Sequence, residues 1–261
     1  MKASILISNF NKDKFLNKCV QSCLDQSYQN IEIIVFDDKS SDNSIKILNK
    51  FNKYIKIIKN KIKFSNYDAL NQINATREAF KKSTGDVIFL LDSDDYFSKN
   101  KVKKVVEYFI KFKSSLFVQD TPYGIKIKSK QKIKLKKINK TIFFPRWPFF
   151  FPTSTMCIKR NAFRKFLKVI NPKKFELLEI DARLVIFAKY VLKDFTILPN
   201  NLTYYRFNNQ GISSMSKKYT KNWWIKRNQA HQYVKYILGK IKINYLKGPD
   251  YYLTKLINYL Y

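Results

Sequence analysis

Glycine is scarce in this chain, five residues in 261, and histidine occurs once. The polar stretch Asn9-Phe10-Asn11-Lys12, which follows the first apolar run, has no glycine at all, and that excludes a glycine-rich phosphate loop at this point. Cysteine is confined to Cys19, Cys23 and Cys157, an odd number without paired metal spacing. Neither a disulfide framework nor a thiolate zinc site is expected; Cys19 and Cys23 read as small core residues on one helix, in a reducing compartment. No run reaches the roughly 18 uncharged apolar residues of a membrane span, since the best, residues 141–158, is broken by Arg146 and three prolines. Strand-like sequence begins so close to Met1 that no secretory signal is expected, and no internal repeat is visible.

Acids are also few, 19 against 51 Lys and Arg, for a net charge of +32. Charge of that size points to an anionic partner, or to coding bias, because 44 of the basic residues are Lys and only 7 are Arg. The hydrophobic fraction of 45% is that of a folded globular chain.

The apolar pattern supplies the elements. Residues 4–8 predict a buried strand ending in the polar loop 9–13, and Phe15, Leu16, Cys19, Val20, Cys23 and Leu24 then recur at helical spacing. A second strand, 31–36, runs directly into Asp37-Asp38; residues 39–43 hold an N-cap for a short helix, and 54–58 predict a third strand. A helix over 68–82, stopped by Gly85, leads into Val87–Leu91, five apolar residues in a row. Asp92, Asp94 and Asp95 follow within four positions. A helix over 99–113 with Ser98 as cap, a strand over 116–120 and a lysine-laced hairpin or loop over 126–140 come next. Residues 143–152 (F-F-P-R-W-P-F-F-F-P) are too proline-rich for regular structure and too aromatic for water. They serve either as core packing or as an apolar platform beside a site. A strand over 154–159, a helix over 162–169 and a strongly amphipathic helix over 177–189, with Glu179 and Asp181 in its first turns, complete the regular pattern. Residues 202–207 and 211–214 frame a turn containing Arg206, and 219–261 read as a pair of basic amphipathic helices.

Strands alternating with helices predict an α/β fold: a doubly wound, mostly parallel sheet with helices on both faces, plus a helical C-terminal tail. Ligands bind in such folds outside the carboxyl ends of the strands. Carboxylates crowded there repel one another unless a cation joins them, and a divalent metal carrying a pyrophosphate supplies that charge. The same residues also suit helix capping.

Taken in order, these blocks resemble the family-2 glycosyltransferases of the GT-A fold. The likeness is carried by S-I-L-I-S-N-F-N-K at the start, Q-S-Y-Q-N-I-E-I-I-V-F-D-D-K-S-S-D-N-S from Gln26 and G-D-V-I-F-L-L-D-S-D-D from Gly85. E-I-D-A-R-L from Glu179 and Y-Y-R-F-N-N-Q-G-I-S-S from Tyr204 complete it, so it reaches from residue 4 to about residue 214. The resemblance implies an inverting, metal-dependent, hexosyltransferase-like enzyme with a D-x-D motif. It would move sugar from a nucleotide sugar, a UDP-sugar above all, to a hydroxyl of a saccharide or lipid-linked acceptor in polysaccharide, glycolipid or glycoprotein synthesis. It implies that Ser8, Phe10, Asp38 and neighbouring Asp37 hold the nucleoside. Asp92 would lie near the ribose, and Asp94, with Asp92, would bind Mn²⁺ or Mg²⁺. Asp181 would be the general base, with Glu179 in reserve.

Two departures stand out. Arg77 occupies a position where the family often has Asn, as a phosphate contact or as a partner for a nearby acid. Asn208-Asn209 stand where many relatives carry a metal-binding His. An inactive homologue and a basic nucleic-acid-binding protein are the alternatives; acids in the cleft argue against nucleic acid. The expected division is a catalytic domain over 1–215, with a nucleotide-sugar half (1–113) and an acceptor half (114–215), followed by a basic aromatic extension over 216–261. The expected location is cytoplasmic, peripheral at the inner face of the membrane through that tail.

Overall fold

The computed structural model describes residues 1–126, 131–134, 146–171, 173–207 and 217–261. Three apolar runs form its centre: β1 (Ala3–Asn9), β2 (Ile31–Asp37) and β4 (Val87–Asp92), with β3 (Lys56–Lys59) between the last two in the chain. Buried on both faces, they pair in parallel, β1 in the middle, and β3 extends the sheet beyond β2. Beyond β4 lie β9 (Met156–Lys159), antiparallel to both its neighbours, then β6 (Phe117–Asp120) and β10 (Thr196–Leu198). The result is one seven-stranded, mostly parallel sheet.

Alternate side chains of these strands feed two cores, as a two-residue period requires. On one face Ile5, Ile7, Val35 and Phe89 meet α1 (Asp13–Leu24), α2 (Ser44–Asn49) and α4 (Lys101–Lys111). On the other, Leu6, Ile34, Ile88 and Leu90 meet α3 (Asp68–Lys81), α5 (Arg160–Val169) and α6 (Ile180–Phe187). The expected helices on both faces are therefore present. A smaller sheet in the order β5-β11-β7-β8 uses β5 (Tyr96–Phe97), β7 (Tyr123–Lys126), β8 (Lys132–Lys134) and β11 (Thr203–Phe207).

Local expectations needed correction in three places. Gly85 does not end α3, which stops at Lys81. It is there because the chain passes so close to β1 that a Cβ would lie 2.5 Å from Ser4 Oγ. Ser98 does not cap α4, whose N-cap position is Asn100. Third, α6 is not amphipathic: its outer side chains Ala182 and Ile186, with Leu178 just before it, are covered by Ala230, Tyr233, Val234 and Ile237 of α7 (Lys221–Lys240). The tail continues into α8 (Pro249–Leu260), which rests on α7. The proline-aromatic stretch joins this layer in part, Trp147 and Phe150 packing beside α7; residues 143–145, like the expected turn at 211–214 and Asn208-Asn209, lie outside the described residues.

Candidate active site

In register, Ser8 of β1 sits opposite Asp92 on one side and Phe36 on the other, so the ends of β4, β1 and β2 form a common edge. The loops leaving β1 and β2 are laced together there. Asn9 Nδ2 donates to Asp37 Oδ1 (2.7 Å), Asn11 N to Ser40 Oγ (3.0 Å), and Ser41 N to Asn11 Oδ1 (2.8 Å). Asn11 and Lys39 both take positive φ, 49° and 60°, where Asn is tolerated and Lys is uncommon.

The edge opens into a cavity of about 280 Å³, far larger than a packing void and near the lower bound for small-molecule clefts. Of the residues singled out by sequence, Ser8, Phe10, Asp38, Asp92, Asp94, Glu179 and Asp181 all line it. Asp37 and Arg77 do not. The Asp37 carboxylate is turned inward on Asn9 and on the backbone N–H of Ser40 (3.0 Å), holding the loop that presents Asp38. Asp38 Oδ1 accepts from Asn60 Nδ2 (2.7 Å), and burial raises its pKa. Phe10, with Lys63 Nζ 4.7 Å from its ring centre, forms an exposed wall.

The acidic loop after β4 distributes its three carboxyls differently. Asp95 is wholly buried and ties the loop to the second half of the chain, accepting from Ser154 Oγ (2.6 Å) and from Arg206 N (2.8 Å). Asp92 accepts from Gln72 Nε2 (2.8 Å); burial, then the adjacent Asp94 charge, push its pKa up to about 7. Asp94 faces a cation, Lys12 Nζ at 3.1 Å. Arg206 reaches the same loop from β11, its guanidinium donating to the Asp94 carbonyl and lying over the Tyr96 ring at 4.8 Å.

Glu179 and Asp181 stand at the head of α6, in the N-cap position and in the first turn. They have different partners. Glu179 accepts a charge-assisted hydrogen bond from Lys226 of α7. Asp181 takes part in no ion pair among the described residues; its Oδ1 accepts from the Ala182 backbone N–H (2.6 Å). Burial, then the Glu179 charge, raise its pKa to about 7, with Lys226 opposing.

Among the described residues no group of three or more His, Cys, Asp or Glu side chains is set to hold a metal ion. The donors present are hard carboxylate oxygens on Asp94 and Asp92, beside a position that already attracts the Lys12 ammonium. A nucleotide-bound Mg²⁺ or Mn²⁺ takes one or two protein carboxylates and fills its shell with phosphate and water, so this donor set fits. Sequence reasoning missed Lys12, Gln72, Tyr205 and Lys226. Lys226 carried no signal among 44 lysines, and Lys12 and Tyr205 lie in blocks that carry the likeness but had no role assigned; Gln72 and Tyr205 reach the cavity only through the packing of α3 and the small sheet.

Known proteins resemble this chain in sequence and in fold. The family model described as glycosyl transferase family 2 matches residues 4–169. An uncharacterized glycosyltransferase of Nostoc sp. is 27% identical over 220 residues, 79% of this chain and 65% of the relative. An Escherichia coli UDP-Glc:alpha-D-GlcNAc-diphosphoundecaprenol beta-1,3-glucosyltransferase is 37% identical over 106 residues, 40% of each chain. The chain thus spans under two thirds of the length of these relatives. Among solved structures, S. aureus TarS 1-349 in complex with UDP superposes with a TM-score of 0.63 at 15% identity, over 99% of this chain and 70% of that one. The mannosyltransferase PcManGT from Pyrobaculum calidifontis, in complex with GDP-Man and Mn²⁺, gives 0.57 at 12% identity, over 99% and 69%. At these identities the likeness shows the fold, which is of the GT-A type.

Proposed function

The chain belongs to glycosyl transferase family 2, and from that premise we propose that it is an inverting, metal-dependent transferase that moves a sugar from a UDP-sugar to an acceptor hydroxyl. The observation that carries this reading is the convergence of Asp38, Asp94 and Asp181, from three separate segments, on one cavity at the carboxyl edge of the sheet. The nucleoside lies along the ends of β1 and β2, with Phe10 against the base, Asp38 accepting from its N–H, and Ser8 and Asp92 toward the ribose. Asp94, with Asp92, would hold Mn²⁺ or Mg²⁺, which would supply positive charge to the departing diphosphate. Lys12 adds a second positive charge on the same side. The acceptor hydroxyl attacks the anomeric carbon as the bond from that carbon to the diphosphate oxygen breaks, and Asp181 takes the hydroxyl proton. A carboxyl with its pKa near 7 suits that task, and Asp181 is not engaged by a cation as Glu179 is. Residues 1–113 form the nucleotide-sugar half and 114–215 the acceptor half, with 216–261 as an extension. Relatives named for diphosphoundecaprenol-linked acceptors support a lipid-linked acceptor, hence work at the cytoplasmic face of a membrane. The acids in the cavity repel a phosphate backbone, which disfavours nucleic acid.

The test is a UDP-sugar screen that reads released nucleoside diphosphate. Wild type is expected to turn over at least one donor, Asp181→Asn to lose about 10²–10⁴-fold in kcat with little change in donor KM, and Glu179→Gln to lose far less. Full activity in both variants would remove the assigned base, and a wild type silent on every donor would argue for an inactive homologue.

A further inference from the structure

Helix α8 is inside out. Its buried face is polar: Asp250 meets Arg227 Nε at 3.0 Å and lies 3.0 Å from His231 Nε2, Thr254 is fully buried, and Asn258 Nδ2 donates to the Trp224 carbonyl at 3.0 Å. Its solvent face is apolar. Tyr252, Leu253, Leu256, Tyr259 and Leu260, at helical spacing, form one stripe, in which Leu256 is 58% exposed, Tyr259 88% and Leu260 72%. A surface helix of a globular protein has the opposite arrangement. Ile243 and Leu246, in the turn before α8, extend the exposed apolar surface. Such a contiguous patch marks a surface that is covered in use.

The surrounding charge says by what. Lys217, Lys218, Lys221, Lys235, Lys240, Lys242, Lys247 and Lys255 are exposed, and the one acid between residues 217 and 261, Asp250, is buried on Arg227 and His231. Every exposed charged side chain of the tail is thus a lysine. Exposed apolar and tyrosyl side chains in a tail whose exposed charges are all lysines complement an anionic bilayer surface, where the apolar stripe enters the headgroup boundary and the lysines meet lipid phosphate. A second copy of the chain would bring the same positive charge against itself. No described helix is long and apolar enough to cross a membrane, so the contact is one of lying on the surface.

We propose that the outward face of α8 docks this protein on anionic lipid. Because α8 packs on α7, and α7 reaches the cavity through Lys226 on Glu179, the α7–α8 pair then links the bilayer to the site. The purpose this serves, access to a lipid-linked acceptor, rests on the proposed function; the surface itself does not.

The experiment is co-sedimentation of the full chain with phosphatidylcholine vesicles, with and without about one third phosphatidylglycerol, alongside the UDP-induced shift in Tm on the same samples. Binding is expected to need the anionic lipid and to weaken about tenfold in high salt. The double variant Leu256→Ser, Tyr259→Ser, altering only exposed side chains, should keep the wild-type Tm and lose about tenfold or more in vesicle affinity. The triple variant Lys242→Glu, Lys247→Glu, Lys255→Glu should lose binding as well, while Tyr54→Ser, an exposed site elsewhere, should not. Undiminished binding in the double or the triple variant overturns the proposal. So does a wild type that ignores anionic vesicles, including one that forms a dimer in light scattering which the double variant splits. Loss of the UDP shift with vesicle binding intact would count against the proposed function and leave the docking surface standing.

Discussion

Asp181 carries an ionisable group that the fold prefers to keep protonated. Its neighbours are Glu179, Lys226 and Asp92, and its pKa stands at about 7 because burial and the Glu179 charge outweigh Lys226. An ordinary Asp titrates near 3.8, so between roughly pH 4 and 7 the folded chain binds more protons at this position than the unfolded chain does. Stability from this group is therefore fully present below about pH 4 and is lost as pH rises through 7. Asp181→Asn should raise Tm at pH 8, by about 2–4 °C for each kcal/mol relieved, and leave it unchanged below pH 4. Differential scanning calorimetry of both proteins at the two pH values checks this; an equal shift at both would mean that ionisation is not its cause. Activity should follow the opposite course, rising with pH through about 7 as the base loses its proton. That Asp38, Asp92, Asp94 and Asp181 stand out was legible, because acids at strand ends and helix heads break an otherwise apolar or basic pattern, and all four line the cavity. Lys226 was not, since nothing local distinguishes a lysine that meets a buried acid from one that meets water.

At the scale of elements, the position of α6 depends on one side chain. Arg183 is fully buried and donates to five backbone carbonyls: Leu178 (2.8 Å), Ile170 and Asn171 (both 3.1 Å), Lys174 and Phe175 (both 2.7 Å). These carbonyls belong to the segment that delivers Glu179 and Asp181 to the cavity. Arg183→Met removes the shared donor and strands several buried acceptors, so urea denaturation should show a loss of about 3 kcal/mol or more. At temperatures where the variant is folded, kcat should fall more than UDP affinity, because β1, β2 and β4 are untouched. A variant with wild-type stability would remove the clamp from the account. Strands β1, β2 and β4 could be read in advance because a parallel strand covered on both faces is a continuous apolar run. The small sheet could not: β5 has two residues, and β11 pairs with β7 across some eighty positions of chain, a contact without local trace. Helix α6 departs from the amphipathic expectation because the layer that covers its outer face, α7, comes from the tail.

At the scale of the molecule, the chain is a sheet with two helical layers and a third helical layer, α7, laid over α6, so the tail is packed on the fold through one helix and exposes the second. The charge of +32 is distributed to match: acids gather in the cavity, while exposed lysines cover the tail. We propose this cavity as a metal-assisted nucleotide-sugar site in which Asp94 serves the diphosphate and Asp181 serves the acceptor. Titration calorimetry of UDP, with and without Mn²⁺, on wild type, Asp94→Ala and Asp181→Asn tests it most directly. The account predicts that Mn²⁺ tightens UDP binding to wild type and to Asp181→Asn by about tenfold or more, and that Asp94→Ala loses this gain. UDP that fails to bind wild type under either condition, or a metal-dependent gain that survives Asp94→Ala, would contradict it.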